Sequence, residues 1–166
     1  MIIRKEQRDD IERITEITIA AFRHHPISNQ TEHFIVNALR RSGALTISLV
    51  AEEKGIIAGH IAFSPLSLSD GSENWYGLGP ISVDPEYQMK GIGKALVGEG
   101  IAELEKIGAK GCALVGDPDF YRRFGFKNYP ELVYEGIPQE VFLVLPLAGK
   151  VAKGTVLFDK AFLAAS

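Results

Sequence analysis

Residues 85–96 read PEYQMKGIGKAL, and how this stretch is read decides the fold of the rest. It follows the strand-like run LGPISV (78–83). It also opens a segment in which Ile92, Leu96, Ile101, Leu104 and Ile107 recur at helical spacing. Fixing glycines at a helix start costs conformational entropy, so Gly91 and Gly93 need a reason to be there. The first turn of a helix presents backbone N–H groups without partners and a partial positive charge. A loop of small residues leading into it can cradle phosphate oxygens. In Gln88-Met89-Lys90-Gly91-Ile92-Gly93 the glycines remove Cβ atoms where a diphosphate would lie against the backbone, and Lys90 and Lys94 add positive charge. The turn reads as a phosphate site.

Three phosphate motifs compete for it. A P-loop needs Ser or Thr after its Gly-Lys pair and a glycine five positions before it. Here Ala95 follows Gly93-Lys94, and Gln88 stands where the first glycine belongs. A dinucleotide fingerprint needs a third glycine where Leu96 stands. The third motif is Q-x-x-G-x-G at a strand-to-helix junction, and Gln88, Gly91 and Gly93 fit it.

Outward from the turn, the chain alternates strands and helices. Met1–Arg4 reads as an edge strand. Ile11, Ile14, Ile17, Thr18, Ala21 and Phe22 mark an amphipathic helix that starts behind Asp9-Asp10 and ends at His24-His25-Pro26. Thr31-Glu32 opens a second helix carrying Phe34, Ile35, Ala38 and Leu39, stopped by Ser42-Gly43. Ile47–Glu52 and Ile56–Pro65 read as a hairpin joined by EEKG, followed by the polar turn SLSDGSEN (67–74) and the strand Trp75–Val83. Gly108 ends the glycine-turn helix. Gly111–Gly116 is a strand, Asp117-Pro118 opens a short helix, Val141–Leu147 is a strand and Thr155–Phe158 a weaker one. The expected fold class is α/β (α+β): a mixed, largely antiparallel sheet with helices on both faces.

Composition narrows the function. The 166 residues are 46% apolar and 23% charged, as in an ordinary globular chain. A net charge of −3 with scattered Lys and Arg argues against nucleic acid or an anionic membrane as partner. No apolar run approaches the ~18 residues that span a bilayer. MIIRKEQRDDIER lacks a signal-peptide stretch, so a cytoplasmic location is expected. The single Cys112, in GCALVG, reads as a small buried residue, and no metal-ligand spacing is present.

The chain resembles the GNAT superfamily of N-acetyltransferases. Gln88-x-x-Gly91-x-Gly93 is similar to that family's acyl-CoA motif, and Tyr121, Gly125 and Phe126 in GDPDFYRRFGF (116–126) resemble its Y-x-x-x-G-F segment. The order of elements matches over almost the whole chain, and GTVLFDKAF is similar to a C-terminal extension in one bacterial branch. The resemblance implies one acyl-CoA N-acyltransferase domain over residues 1–166, with 145–166 an extension of it. It implies a sheet splayed between its fourth and fifth strands (75–83 and 111–116), where Gly79-Pro80 interrupts the ladder. It also implies acetyl-CoA or coenzyme A as acyl-donor substrate, with no metal. On it, Ile81, Ser82 and Val83 would contact the pantetheine arm. Gln88, Met89, Lys90, Gly91, Ile92, Gly93 and Lys94 would hold the diphosphate. Tyr121 would be the general acid for the leaving thiolate.

The implied reaction is direct attack by a primary amine of a small molecule or peptide on the thioester. A non-catalytic acyl-CoA sensor is the alternative. The general base is open. His60 lies in the strand IIAGHIAFS, where a hydrogen-bonded core histidine is the commoner outcome, and Glu32, Glu52 and Glu73 lie at turns or helix starts, where solvated carboxylates are usual. The acceptor is expected between the loops 23–30 and 67–74. Many relatives are homodimers, and no feature of this sequence decides that point.

Overall fold

The computed structural model describes Met1–Ser166 throughout. β1 (Ile2–Lys5) is followed by α1 (Ile11–Phe22) and α2 (Glu32–Ser42). β2 (Ile47–Glu53) and β3 (Ile56–Pro65) form a hairpin across Lys54 and Gly55, whose φ angles of 50° and 82° are those of a tight two-residue turn. β4 (Ser67–Leu68) and β5 (Trp75–Val83) precede α3 (Ile92–Lys106), β6 (Gly111–Val115) and the short α4 (Pro118–Tyr121). β7 (Leu132–Val133), β8 (Phe142–Pro146) and β9 (Gly154–Leu157) complete the chain.

Six strands form the main sheet in the order β1-β2-β3-β5-β6-β8. Only β5 and β6 run parallel, because α3 carries the chain back across the sheet between them. Successive side chains on a strand face opposite ways, and β2 shows what that does here. Leu49 joins the cluster containing Leu96, Val97 and Leu104 of α3, while its neighbour Val50 packs with Ile14 and Ile17 of α1 and Val36 of α2. One face therefore carries α3 and the other carries α1 and α2, as the sequence implies.

The sheet splits at β5. Trp75, Tyr76 and Gly77 pair with Gly111, Cys112 and Ala113, and the ladder stops there. On its other edge β5 stays paired to β3 as far as Gly59–Val83, with a register shift between Ile61 and Phe63. Gly79-Pro80 lies at that break, where proline has no N–H to donate. Beyond it, β5 and β6 are splayed as expected.

The stretch 67–74 differs from the plain turn expected. Ser67 and Leu68 pair with Leu157 and Val156, the Asp70 carboxylate accepts the Lys153 N–H at 2.9 Å, and Ser69 Oγ accepts the Thr155 N–H at 2.8 Å. With β7 this makes a second, three-stranded sheet, β4-β9-β7, that ties the C-terminal segment to the body.

Candidate functional site

β5 ends beside the glycine turn, and the turn is built to leave main-chain groups bare. Asp84 is anchored from three sides. Its N–H donates to the Ala58 carbonyl at 2.8 Å, its Oδ1 accepts the Glu86 N–H at 3.0 Å, and its Oδ2 accepts from Arg13 Nη2 at 2.6 Å. Met89 and Gly91 then take φ angles of 64° and 85°, turning the chain into α3. The first backbone bond inside that helix runs from the Ala95 N–H to the Gly91 carbonyl, and no backbone N–H from Gln88 through Lys94 has a protein acceptor. A run of unpaired donors at the positive end of a 15-residue helix is an anion site by construction.

The open edge of β5 adds a second set of bare groups. Because the Asp84 N–H points to β3, alternation turns the N–H and carbonyl of Val83, and those of Ile81, toward the side β6 has left. The Val83 carbonyl accepts only the side-chain amide of Gln88, at 3.1 Å.

Both features open into one cavity of about 940 Å³. Of the residues singled out from the sequence, Ile81, Ser82, Val83, Gln88, Met89, Gly91, Ile92, Gly93, Lys94 and Tyr121 line it. Lys90 is not among the lining residues; its ammonium lies 5.4 Å from the centre of the ring of Tyr87, which does line the cavity.

Tyr121 comes from α4, just past the end of β6. Its ring meets Phe120 and Phe126 edge-on, with centroids at 4.9 and 5.8 Å. It closes on Gly116 so tightly that a Cβ there would stand 2.6 Å from Tyr121 Cε2. This explains the glycine at the end of the strand: it makes room for the phenol. Burial above all, with Cys112 and Asp117 adding to it, pushes the Tyr121 hydroxyl up to about 12. It is therefore protonated at any ordinary pH and available as a donor.

The candidate bases separate cleanly. His60 is fully buried and lies outside the cavity, with Nε2 2.7 Å from Ser48 Oγ; burial holds its pKa down to about 4 and keeps it neutral. It is the core histidine that its strand suggests. Glu52 pairs with Arg4 at 3.5 Å, and Glu73 is exposed; neither lines the cavity. Glu32 does line it, which its place at a helix start gave no reason to expect. Tyr134, Ile137, Phe158 and Phe162 are further lining residues that the sequence reading missed. The loop 67–74 contributes nothing to the cavity, and the C-terminal segment takes the place assigned to it. Of the first expected wall, 23–30, only His25 lines the cavity, and Phe22 at the end of α1 lines it beside that loop.

No group of three or more His, Cys, Asp or Glu side chains is arranged to hold a metal, and no helix is long and apolar enough to cross a membrane.

Comparison with known proteins points the same way. The family described as the acetyltransferase (GNAT) domain matches residues 44–128. A GNAT family acetyltransferase from Brucella melitensis, solved in complex with acetyl-CoA, is 47% identical, covers 97% of each chain and superposes with a TM-score of 0.87. The GNAT family N-acetyltransferase YhbS from Escherichia coli, solved in complex with CoA, is 30% identical over 99% of this chain and 93% of its own, with a TM-score of 0.88. In a sequence match, the uncharacterized N-acetyltransferase YhbS of Escherichia coli strain K12 is 36% identical over 110 residues. That stretch is 66% of each chain, just under two thirds of the curated relative's length.

Proposed function

This chain belongs to the GNAT acetyltransferases, and from that premise we propose that it transfers the acetyl group of acetyl-CoA directly to a primary amine of a small molecule or peptide. It is an acetyl-CoA-dependent acyltransferase. The observation that carries the reading is the continuity of two sets of unpaired main-chain groups, on the β5 edge and in the turn 88–94, within one cavity that also holds Tyr121.

Each part has a task that its chemistry suits. The N–H groups of residues 88–94, with Lys94 beside them, hold the diphosphate of the donor. The open edges of Ile81 and Val83 pair with the amides of the pantetheine arm in place of β6. A neutral amine then attacks the thioester carbonyl. An N–C bond forms, negative charge gathers on the carbonyl oxygen, and the Val83 N–H donates a hydrogen bond to that oxygen. Collapse breaks the C–S bond, the thiolate takes the Tyr121 hydroxyl proton, and the new amide nitrogen gives up one proton, which restores Tyr121 through solvent. A phenol at about 12 suits this role only because the thiolate also emerges into an apolar pocket, where desolvation raises its basicity too.

The test is a thermal midpoint series with acetyl-CoA, CoA, ATP and NAD, then thiol release with Ellman's reagent over a panel of amines. At a hundredfold excess over Kd, acetyl-CoA should raise the midpoint by roughly 5–10 °C. Stabilisation by ATP and not by CoA would refute the donor assignment. Stabilisation by acetyl-CoA without thiol release for any amine would make the protein a sensor.

A further inference from the structure

We propose that the acceptor is a primary amine carried on an aromatic or branched apolar body, and that Glu32 receives its ammonium group. This deepens the acetyl-transfer reading and rests on it.

The two ends of the cavity differ in chemistry. Lys94, Asp117 and Arg123 belong to the donor end. The Arg123 guanidinium lies 5.0 Å above the Phe120 ring, and that ring would lie 3.8 Å from a Cβ at Gly93. Asp117 caps α4 by accepting the Asp119 N–H at 2.9 Å.

The opposite end is walled by rings brought in from the C-terminal segment. Tyr134 stacks on Phe158 with centroids at 5.0 Å and planes 24° apart, and Phe162 meets Phe158 edge-on at 5.1 Å. Phe158 reaches this place over Gly77, where a Cβ would stand 2.6 Å from its Cε2. β5 thus gives up a side chain to admit the ring. Phe162 packs against the cluster of Ile35, Leu39 and Ala161, and Phe22 also lines the cavity, so the acceptor end is an apolar slot with ring walls.

Glu32 is the carboxylate of that end, and it is held without being neutralised. The Ser28 hydroxyl lies 2.7 and 2.8 Å from its two oxygens, and Ser28 Oγ in turn accepts the Gln30 N–H at 2.9 Å. One hydroxyl proton serves one oxygen at a time, which leaves most of the carboxylate's lone pairs unused. Glu32 takes part in none of the protein's ion pairs. The neighbouring His25 forms no ion pair with Glu32, and its Nδ1 accepts the Ile27 N–H at 3.3 Å. A fixed, unpaired anion beside aromatic walls is complementary to one cation on an apolar body. A polyamine would need several carboxylates, and an acceptor with a free carboxylate would need a cation that this end lacks.

Saturation-transfer NMR on the full chain tests this without relying on turnover, with 2-phenylethylamine, 2-phenylethanol and spermidine as probes in the presence of CoA. We expect ring protons of 2-phenylethylamine to be saturated, with affinity at least tenfold above that for the alcohol or spermidine. Glu32→Gln should weaken 2-phenylethylamine tenfold or more and Phe162→Ala severalfold, while the midpoint shift given by CoA stays at the wild-type value and reports intact folding. Tighter binding of spermidine, no signal from 2-phenylethylamine, or unchanged affinity in Glu32→Gln overturns the proposal. A chain that binds 2-phenylethylamine as expected but is not stabilised by acetyl-CoA overturns the transfer reading instead.

Discussion

Replacing Gly116 by alanine puts a Cβ 2.6 Å from Tyr121 Cε2, 3.2 Å from Cδ2 and 3.1 Å from Leu114 Cδ1. Carbon atoms in contact sit about 3.5–4.0 Å apart, so the ring edge must retreat by about 1 Å. It has little room, with Phe120 and Phe126 edge-on to it. Overpacking of this kind costs about 1–3 kcal/mol, which lowers the midpoint by roughly 2–12 °C in a chain of this length. The kinetic effect should be larger. A group displaced by 1 Å from its reacting partner can lose ~10²-fold in rate. The main chain of residues 81–94 is untouched, so KM for acetyl-CoA should hold. The assay is thiol release at saturating acetyl-CoA with any amine the wild type accepts, run on Gly116→Ala, Tyr121→Phe and the double variant. Tyr121→Phe alone should lower kcat by ~10²–10⁴-fold, the usual span for a general acid. If Gly116 acts through the phenol, adding Gly116→Ala to Tyr121→Phe should cost little more, because the two changes strike one interaction. A Gly116→Ala enzyme with wild-type kcat and a lowered midpoint would refute the reasoning, since the ring would have moved without consequence.

Three further outcomes are expected. Gly91→Ala forces a side chain into a φ of 85°, at about 1–2 kcal/mol, and should weaken acetyl-CoA by roughly tenfold in calorimetry while kcat at saturation is retained; equal affinity would show that the turn does not grip the donor. Arg13→Met removes the guanidinium 2.6 Å from Asp84 Oδ2 and should cost about 2 kcal/mol in urea unfolding and loosen CoA binding together; a loss of stability with donor affinity intact would confine Arg13 to a folding role. His60 is held at about 4 in the folded chain against 6.5 unfolded, so the unfolded chain binds the extra proton. That stability is complete above pH 6.5 and falls by up to ~3 kcal/mol as pH drops toward 4. His60→Gln should flatten the midpoint between pH 7 and 4.5, and parallel curves for variant and wild type would count against it.

The donor half of the cavity was legible because its information is local. Gln88, Gly91 and Gly93 lie within six residues of chain, and Gly79-Pro80 marks the place where β5 loses its partner. Both work through what is missing, a Cβ or an N–H, and such absences show in a sequence. For Lys90 charge and position do not fix direction, and its ammonium lies over the Tyr87 ring, 5.4 Å from its centre. Glu32 looked like a solvated helix-start carboxylate, and nothing in its own segment says that a cavity lies beside it.

The acceptor half was hidden for the converse reason. Its walls are side chains carried there by tertiary pairing, from segments as far apart as Phe22 and Phe162. One signal was within reach. In LSLSD (66–70), Leu66 and Leu68 alternate with polar residues as a half-buried strand does, and GTVLF (154–158) is a short β-branched and apolar run that can pair with it. Pairing those two runs, as β4 and β9 do, brings Phe158 over Gly77 and draws Phe162 in after it. The same pairing explains why 67–74 cannot be a wall of the cavity, since its polar groups are spent on Lys153 and Thr155. On the proposed assignment, a donor held by main-chain atoms would tolerate many sequences at its site, whereas an acceptor held by Phe22, Glu32, Tyr134, Phe158 and Phe162, all of which line the cavity, would be specified by those side chains. Exchanging residues 154–163 between this chain and a relative should therefore move amine preference while leaving CoA affinity where it was, and a swap that altered both would show that the two halves are not separately encoded.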